Sequence, residues 1–324
     1  MSFGHKLLYA NSVKRILVTG ANGFVGNHLV KELVDHNLHV IGVGGPIKSN
    51  DRPPCTDDYI VLDLMDKRAI QANIDFREID GVIHLAGLAA VGPSFDNPLD
   101  YMTTNIGLEV NLFEAALLQK ATPRFLVISS GGLYDSAAKL PLTETSKVIP
   151  SSPYAISKLG QEQLAIYYSM RGFECIIARP FNHIGPGQTT GFITPDLTKQ
   201  VVEFKQGRLK QVLVGNLDAK RDYTDVRDVV RAYRLLLEKG HPGEIYNVCS
   251  GEAHSGHEIL NGILKAAGVK PPIKKDLAKM RPSDNPIVYG SYQKINKKTG
   301  WQPEIPFETT IADVVDDWHG RFNQ

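Results

Sequence analysis

The sequence predicts an α/β protein: a doubly wound, Rossmann-type parallel sheet with a smaller, discontinuous α/β lobe attached. Three observations carry this expectation. Short apolar runs alternate with helical patterns through the first half of the chain. A glycine-rich turn joins the first of those runs to the first helix. After Arg179 the alternation gives way to a stretch dominated by Gly, Pro, Asn and Thr.

Taken in order, "RILVTG", "LHVIGVG", "YIVLDL", "GVIHLAG", "RFLVISS" and "FECIIARP" read as six strands. They are too continuously apolar for a sheet with one wet face, which is how parallel strands covered on both sides appear. Helical patterns separate them at residues 23–36, 66–73, 98–120 and 153–171. Alternation of this kind argues right-handed crossovers onto both faces of one sheet. Beyond it, "FNHIGPGQTTGFITP" reads as loop, followed by a helix over 195–206 and a strand in "QVLVG". A loop, a helix over 226–239 and a strand in "EIYNVCSG" come next, and an amphipathic helix over 309–322 closes the chain. Residues 1–180 are expected to form the dinucleotide-binding domain, with 221–250 returning to it, and 181–324 mainly the second lobe.

A chain of 324 residues has length enough for one large domain or two smaller ones. The formal charge is +1 with acids and bases mixed, so there is no electrostatic case for nucleic acid. No run is long enough to span a membrane. The first fourteen residues lack an apolar stretch behind a basic start, so no signal peptide is expected and the chain reads as cytoplasmic. Cys55, Cys175 and Cys249 fit neither a metal pattern nor a disulfide framework, and no metal site is expected.

In "ILVTGANGFVGNHLV", Gly20, Gly23 and Gly26 stand where strand one meets helix one. The first glycine permits a tight turn, the second lets the backbone approach a pyrophosphate, and the third lets helix pack on strand. The helix N-terminus then faces the negative charge. A carboxylate about 20 residues on would take the adenosine ribose diol. That place reads "GVGGPIKSNDR", with no acid before Asp51 and with Lys48 and Arg52 close by. The pattern favours NADP(H) over NAD(H), since a carboxylate would repel a 2′-phosphate. The alternative is that Lys48 and Arg52 are solvated loop charges. Asp63 is placed to meet the adenine edge or to cap the next helix.

"SPYAISK" puts Tyr154 and Lys158 on one face of a helix whose first turn suits Pro153. A lysine ammonium beside the phenol, together with an oxidised nicotinamide, favours the phenolate and fits the tyrosine for proton transfer. Among 12 tyrosines a Tyr-x-x-x-Lys match arises by chance about once, so its weight comes from following the fifth strand.

Together, Gly20-Ala21-Asn22-Gly23-Phe24-Val25-Gly26, His84-Leu85-Ala86-Gly87, Ser129-Ser130 and Tyr154-x-x-x-Lys158 resemble the extended short-chain dehydrogenase/reductases that act on nucleotide sugars. The resemblance covers nearly the whole chain. It implies a catalytic set of Ser130, Tyr154 and Lys158, with Ser130, not Ser129, bonding the sugar carbonyl. It places the cofactor against Gly20, Asn22, Gly23, Phe24, Val25, Gly26, Lys48, Asp63, Leu64, Leu85, Ala86, Gly87 and Asn105, as well as Tyr154 and Lys158. Members that remove water between C4 and C6 carry an acid directly after the hydroxyl residue. Gly131 and Gly132 stand there, which disfavours a dehydratase and leaves hydride transfer at a ring carbon.

"ARPFNHIGPGQTTGFITPDLTKQ", "GNLDAKRDYTDVRDVVRAY" and "RPSDNPIVYGS" are similar to the branch that reduces GDP-6-deoxy-4-keto-D-mannose to GDP-D-rhamnose. By that resemblance Asn182, His183, Arg221, Arg281 and Ser283 line the nucleotide-sugar site, the two arginines clamping phosphates. Arg221 could instead pair with Asp222 or Asp225, and His183 could simply pack its loop. One departure is the missing arginine after strand two that an NADP reductase of this kind would carry. The expected activity is NADPH-dependent reduction of a C4 ketone on a nucleotide-linked 6-deoxyhexose. The alternatives are a 4-epimerase that retains NAD and a non-catalytic NADP-binding regulator. Helices 98–120 and 153–171 are expected to pair in a homodimer.

Overall fold

The protein's structure, a computed structural model, describes residues 14–45, 58–135, 137–276 and 286–322. The six apolar runs become β1 (Arg15–Thr19), β2 (His39–Gly44), β3 (Asp58–Val61), β4 (Gly81–His84), β5 (Arg124–Ile128) and β6 (Cys175–Pro180). Between them run α1 (Phe24–Asp35), α2 (Lys67–Asn73), a short α3 (Val91–Ser94), α4 (Pro98–Leu118) and α5 (Pro153–Ser169). Local chemistry sets the helix starts. Asp66 accepts from the N–H groups of Arg68 and Ala69 ahead of α2, and Ser152 accepts from Ala155 ahead of α5. Pro98 and Pro153 occupy first turns, where a missing N–H costs nothing.

The second half contributes β7 (Asn182–Ile184), α6 (Ile193–Lys205), β8 (Val212–Val214), β9 (Lys220–Asp225), α7 (Val226–Lys239), β10 (Ile245–Val248) and β11 (Ala253–Ser255). It ends with α8 (Gly256–Ala267), β12 (Ile273–Lys275), β13 (Ile287–Val288), α9 (Gln293–Thr299) and α10 (Phe307–Phe322).

The large sheet runs β3–β2–β1–β4–β5–β6–β10, and every pairing in it is parallel. Strand order reverses between β1 and β4, the switch point where such sheets open a crevice for ligand. One face is covered by α1 and α7 around Ile16, Leu29, Leu33, Val229, Tyr233 and Trp301. The other is covered by α2, α4 and α5 around Leu17, Leu112, Phe113, Phe125 and Tyr168. A small sheet, β11–β9–β13 with β7 against β9, stands beyond the strand ends. There α6, α8 and α10 enclose a separate core around Val201, Ile259, Ile263 and Ile311.

Two junctions join the sheets without slack. A single residue, Phe181, separates β6 from β7, and β9 runs directly into α7. The return to the large sheet therefore begins at Val226; β9 itself belongs to the small one. The stretch read as loop before residue 226 holds β9, and the stretch after residue 251 holds α8, which the apolar pattern had passed over. β9 reads "KRDYTD", whose polar residues conceal a strand. α8 is announced by a reciprocal capping box between Ser255 and Glu258.

Candidate active site

The glycine turn has no room for side chains. A Cβ on Gly26 would lie 2.1 Å from the Gly20 carbonyl oxygen, and one on Gly20 would lie 3.0 Å from the Ala86 nitrogen. Gly20 also has φ of 68°, in the region glycine favours. Gly23 opens α1 without a side-chain cap, and no acid occupies the first turn. The first-turn N–H groups therefore face the crevice unopposed, as an anion requires. These positions fit a dinucleotide pyrophosphate. Asn22 leans over Gly44, where an added Cβ would come within 2.3 Å of its Oδ1 and of the Tyr59 hydroxyl. β2 thus ends on Gly44 with no carboxylate, and the Tyr59 hydroxyl donates to the Gly45 carbonyl at 3.1 Å. Lys48 and Arg52 lie outside the described residues.

Asp63 is exposed and accepts from the Met65 N–H at 2.8 Å, turning the chain ahead of α2. Leu64 is buried, with its carbonyl held by Asn111. After β4, the Ala86 N–H donates to Thr19 Oγ1 at 3.2 Å, so Leu85, Ala86 and Gly87 follow the crevice beside β1. Asn105 is fully buried; its Oδ1 accepts from Leu88, and its Nδ2 donates to the Leu88 carbonyl and to Ser157 Oγ. That clamp fixes the loop between β4 and α4. Val25, in the first turn of α1, packs on the core, and Phe24 stacks on His183, ring centroids 6.2 Å apart.

At the end of β5 the two serines part. Ser129 is buried, its hydroxyl donating at 2.5 Å to Glu162, which also holds Arg179 through two contacts of 2.7 Å. Ser130 faces the other way. Its Oγ accepts from the Gly132 N–H at 3.0 Å and lies toward the Tyr154 hydroxyl. Burial raises the Tyr154 pKa, Ser130 lowers it, and Tyr101 adds to the rise. The Tyr101 ring stands edge-on to Tyr154 at 6.4 Å. Lys158 differs from the sequence expectation. Its Nζ donates to the Ile128 carbonyl at 2.9 Å and to Gln161 Oε1 at 2.8 Å rather than toward the phenol. Burial lowers its pKa to about 8, with Glu109 opposing.

On the far side of the crevice, Asn182 is exposed and its Nδ2 donates to the Asp222 carbonyl at 3.2 Å. Arg221 lies on the neighbouring strand, its Nη1 donating to the Lys220 carbonyl. The Asp222 carboxylate is occupied by Ser250 and by the N–H groups of Gly251 and Gly290. That of Asp225 is occupied by Arg227 and Thr310. His183 Nδ1 lies 3.1 Å from the Phe181 carbonyl, and burial lowers its pKa. Arg281 and Ser283 lie outside the described residues. A Cβ on Gly131 would meet the Phe181 ring at 2.8 Å, so the position after Ser130 is closed to an acid.

Several buried polar groups escaped the sequence reading. Thr19 Oγ1 and His84 Nδ1 are 2.7 Å apart, joining β1 to β4 beneath the crevice. Burial and the nearby Lys158 lower the His84 pKa to about 3, so the ring is neutral. Gln161 and Glu109 stand behind Lys158. The available signal was an acid in the apolar stretch "NIGLEVNLFEAALL", four residues after Asn105 and hence on its face.

The family model described as GDP-mannose 4,6 dehydratase matches residues 17–314. GDP-6-deoxy-D-mannose reductase of Pseudomonas aeruginosa is 34% identical over 96% of this chain and 99% of its own length. UDP-glucose 4-epimerase of Caenorhabditis elegans is 30% identical over 92% of this chain and 96% of its own. Among solved structures, RMD from Pseudomonas aeruginosa complexed with NADPH has a TM-score of 0.82 at 33% identity, covering 95% of this chain and 99% of that one. With full-length similarity to reductases and epimerases joined to a glycine turn, a switch-point crevice and a Ser-Tyr-Lys cluster, the chain belongs to the GDP-mannose 4,6 dehydratase-like branch of the extended short-chain dehydrogenase/reductases, a family of NAD(P)-dependent enzymes.

Proposed function

We propose that the protein reduces the C4 ketone of a nucleotide-linked 4-keto-6-deoxyhexose with NADPH, GDP-4-keto-6-deoxy-D-mannose being the substrate and GDP-D-rhamnose the product. The observation that carries this is the placing of Ser130 against Tyr154 at the mouth of the switch-point crevice, beside a glycine turn shaped for a dinucleotide. Bound NADPH supplies hydride to C4. Tyr154 donates a proton to the carbonyl oxygen as the hydride arrives. A phenol whose pKa is held up by burial rests in the protonated form, as a donor must. Ser130 orients the carbonyl against Tyr154, and Lys158 holds the nicotinamide ribose. Asn182, His183, Arg221, Arg281 and Ser283 take the sugar and diphosphate. The lack of a carboxylate at the end of β2 supports NADPH, which is the cofactor in the solved Pseudomonas aeruginosa relative.

Closure of the position after Ser130 by Phe181 supports reduction rather than dehydration, because no group stands there to protonate a leaving hydroxyl. In this reading the sheet-forming part, 1–180 with α7 and β10, holds the cofactor, and the rest holds the sugar nucleotide. The working form in this reading is a homodimer in the cytoplasm, its self-association supported by exposed Leu99, Leu118, Ile156, Ile166 and Met170 on or beside α4 and α5. Among the described residues no helix is long and apolar enough to cross a membrane.

The test presents GDP- and dTDP-linked 4-keto-6-deoxy sugars with NADPH or NADH, following loss of reduced-cofactor absorbance and product identity together. Stoichiometric oxidation of NADPH with GDP-D-rhamnose formed is the expected result. Interconversion of C4 epimers with no net cofactor turnover would replace the reductase with an epimerase.

A further inference from the structure

Behind Lys158 lies a carboxyl group that the mechanism above leaves unused. Glu109 is 0% exposed at the middle of α4. An acid at that depth is ordinarily tied to an arginine or to several N–H groups. Glu162, equally deep on α5, has Arg179 on both oxygens and Ser129 besides. Neither oxygen of Glu109 closes a hydrogen bond of ordinary geometry. What faces it is Lys158 and the side chain of Gln161, and Gln161 in turn accepts from Lys158 Nζ at 2.8 Å. Of the other titratable groups nearby, Cys175 on β6 senses Glu109, and His84 at the end of β4, which senses Lys158, is neutral. Glu114, farther along α4, is turned to Tyr168 and Arg171.

We propose that Glu109 is a positioning residue for Lys158, a buried carboxyl that keeps the lysine amine protonated and so sets the upper pH limit of the reaction. The inference rests on Lys158 acting as described under the proposed function. Burial without an opposite charge drives a lysine toward the neutral amine. The Ile128 carbonyl and Gln161 Oε1 orient two of the three ammonium donors, but neither carries charge. Glu109 supplies it. Burial lowers Lys158 and raises Glu109, both to about 8, so the two titrate together in one pH range. The sign follows directly. A carboxylate favours the ammonium, so its removal lowers the lysine pKa, and the amine becomes neutral at lower pH.

Glu109→Gln keeps the side-chain shape and removes the charge. The alkaline limb of the kcat/KM profile should move down by about one pH unit or more, the usual scale for losing an adjacent opposite charge. NADPH affinity, read by nicotinamide fluorescence without sugar nucleotide, should show the same displacement, with little change at pH 6.5. Glu109→Asp, which draws the carboxyl back, should fall between the two and serves if the glutamine variant does not fold. Profiles of Glu109→Gln that overlay the parent in both measurements would overturn the inference. Lys158→Met, run in parallel, separates the two levels. Loss of activity there with unchanged Glu109→Gln profiles rejects the role of Glu109 alone, whereas an active Lys158→Met rejects the mechanism on which it rests.

Discussion

The two ends of the crevice are built from opposite materials. At the nucleotide end the work falls to backbone: Gly20, Gly26 and Gly44 hold places where a single added carbon would meet an atom at 2.1 to 3.0 Å. At the proposed reacting end it falls to side chains, with Tyr154, Lys158, Glu109, His84 and Asn105 gathered on three different elements. A backbone site recognises what every dinucleotide shares, and it fails by obstruction. A side-chain site determines which proton moves and when, and it fails in rate.

Tyr154→Phe makes the sharpest test of that difference. It removes one hydroxyl, so kcat and kcat/KM should fall together by about 10²–10⁴-fold while NADPH still binds. Ser130→Ala should cost less, roughly tenfold, because Tyr154 can still donate after one orienting bond of about 1.5 kcal/mol is lost. A larger loss at Ser130 would reassign the proton donor. Gly26→Ala should behave in the opposite manner. Its Cβ would press on the Gly20 carbonyl, an overpacking of about 3 kcal/mol that would weaken NADPH binding roughly 100-fold in a titration. Normal binding with slow turnover in that variant would erase the distinction between the two ends. Cofactor choice should show an effect no larger than that of Ser130→Ala. With no carboxylate ending β2, NADPH should exceed NADH in kcat/KM by about tenfold, the worth of one charge-assisted contact. Equal or better use of NADH would mean that the end of β2 does not select.

The same contrast explains what the sequence made legible. Glycine spacing is local, and the turn between β1 and α1 can be read from seven consecutive residues. Five of the six strands announced themselves because parallel strands covered on both faces lack polar alternation, and β3, half-exposed at the sheet edge, did so by its apolar run alone. α7 begins and ends where its amphipathic pattern does. β9 was hidden because all six of its residues are charged or hydroxylated. The Ser129–Ser130 pair could be ranked only by resemblance, since both are polar and adjacent; the fold separates them by turning one toward Glu162 and the other toward Tyr154. Glu109 was least legible of all. Its meaning depends on the packing of α4 against α5, which brings it within electrostatic reach of a lysine 49 positions away, and no spacing rule within either helix records that approach.

Asp225 ends β9 and at once caps α7, its carboxylate shared among the Arg227 N–H, the Arg227 guanidinium and Thr310 of α10. With no spare residue at that seam, the wall carrying Asn182 and Arg221 cannot swing away from the large sheet by bending there. Anyone re-engineering this chain, by circular permutation, by splitting it into complementing halves or by exchanging its sugar-binding part with that of a relative, should cut elsewhere. A graft made between residues 225 and 226 would separate a strand from the helix it caps and detach α10 at the same stroke.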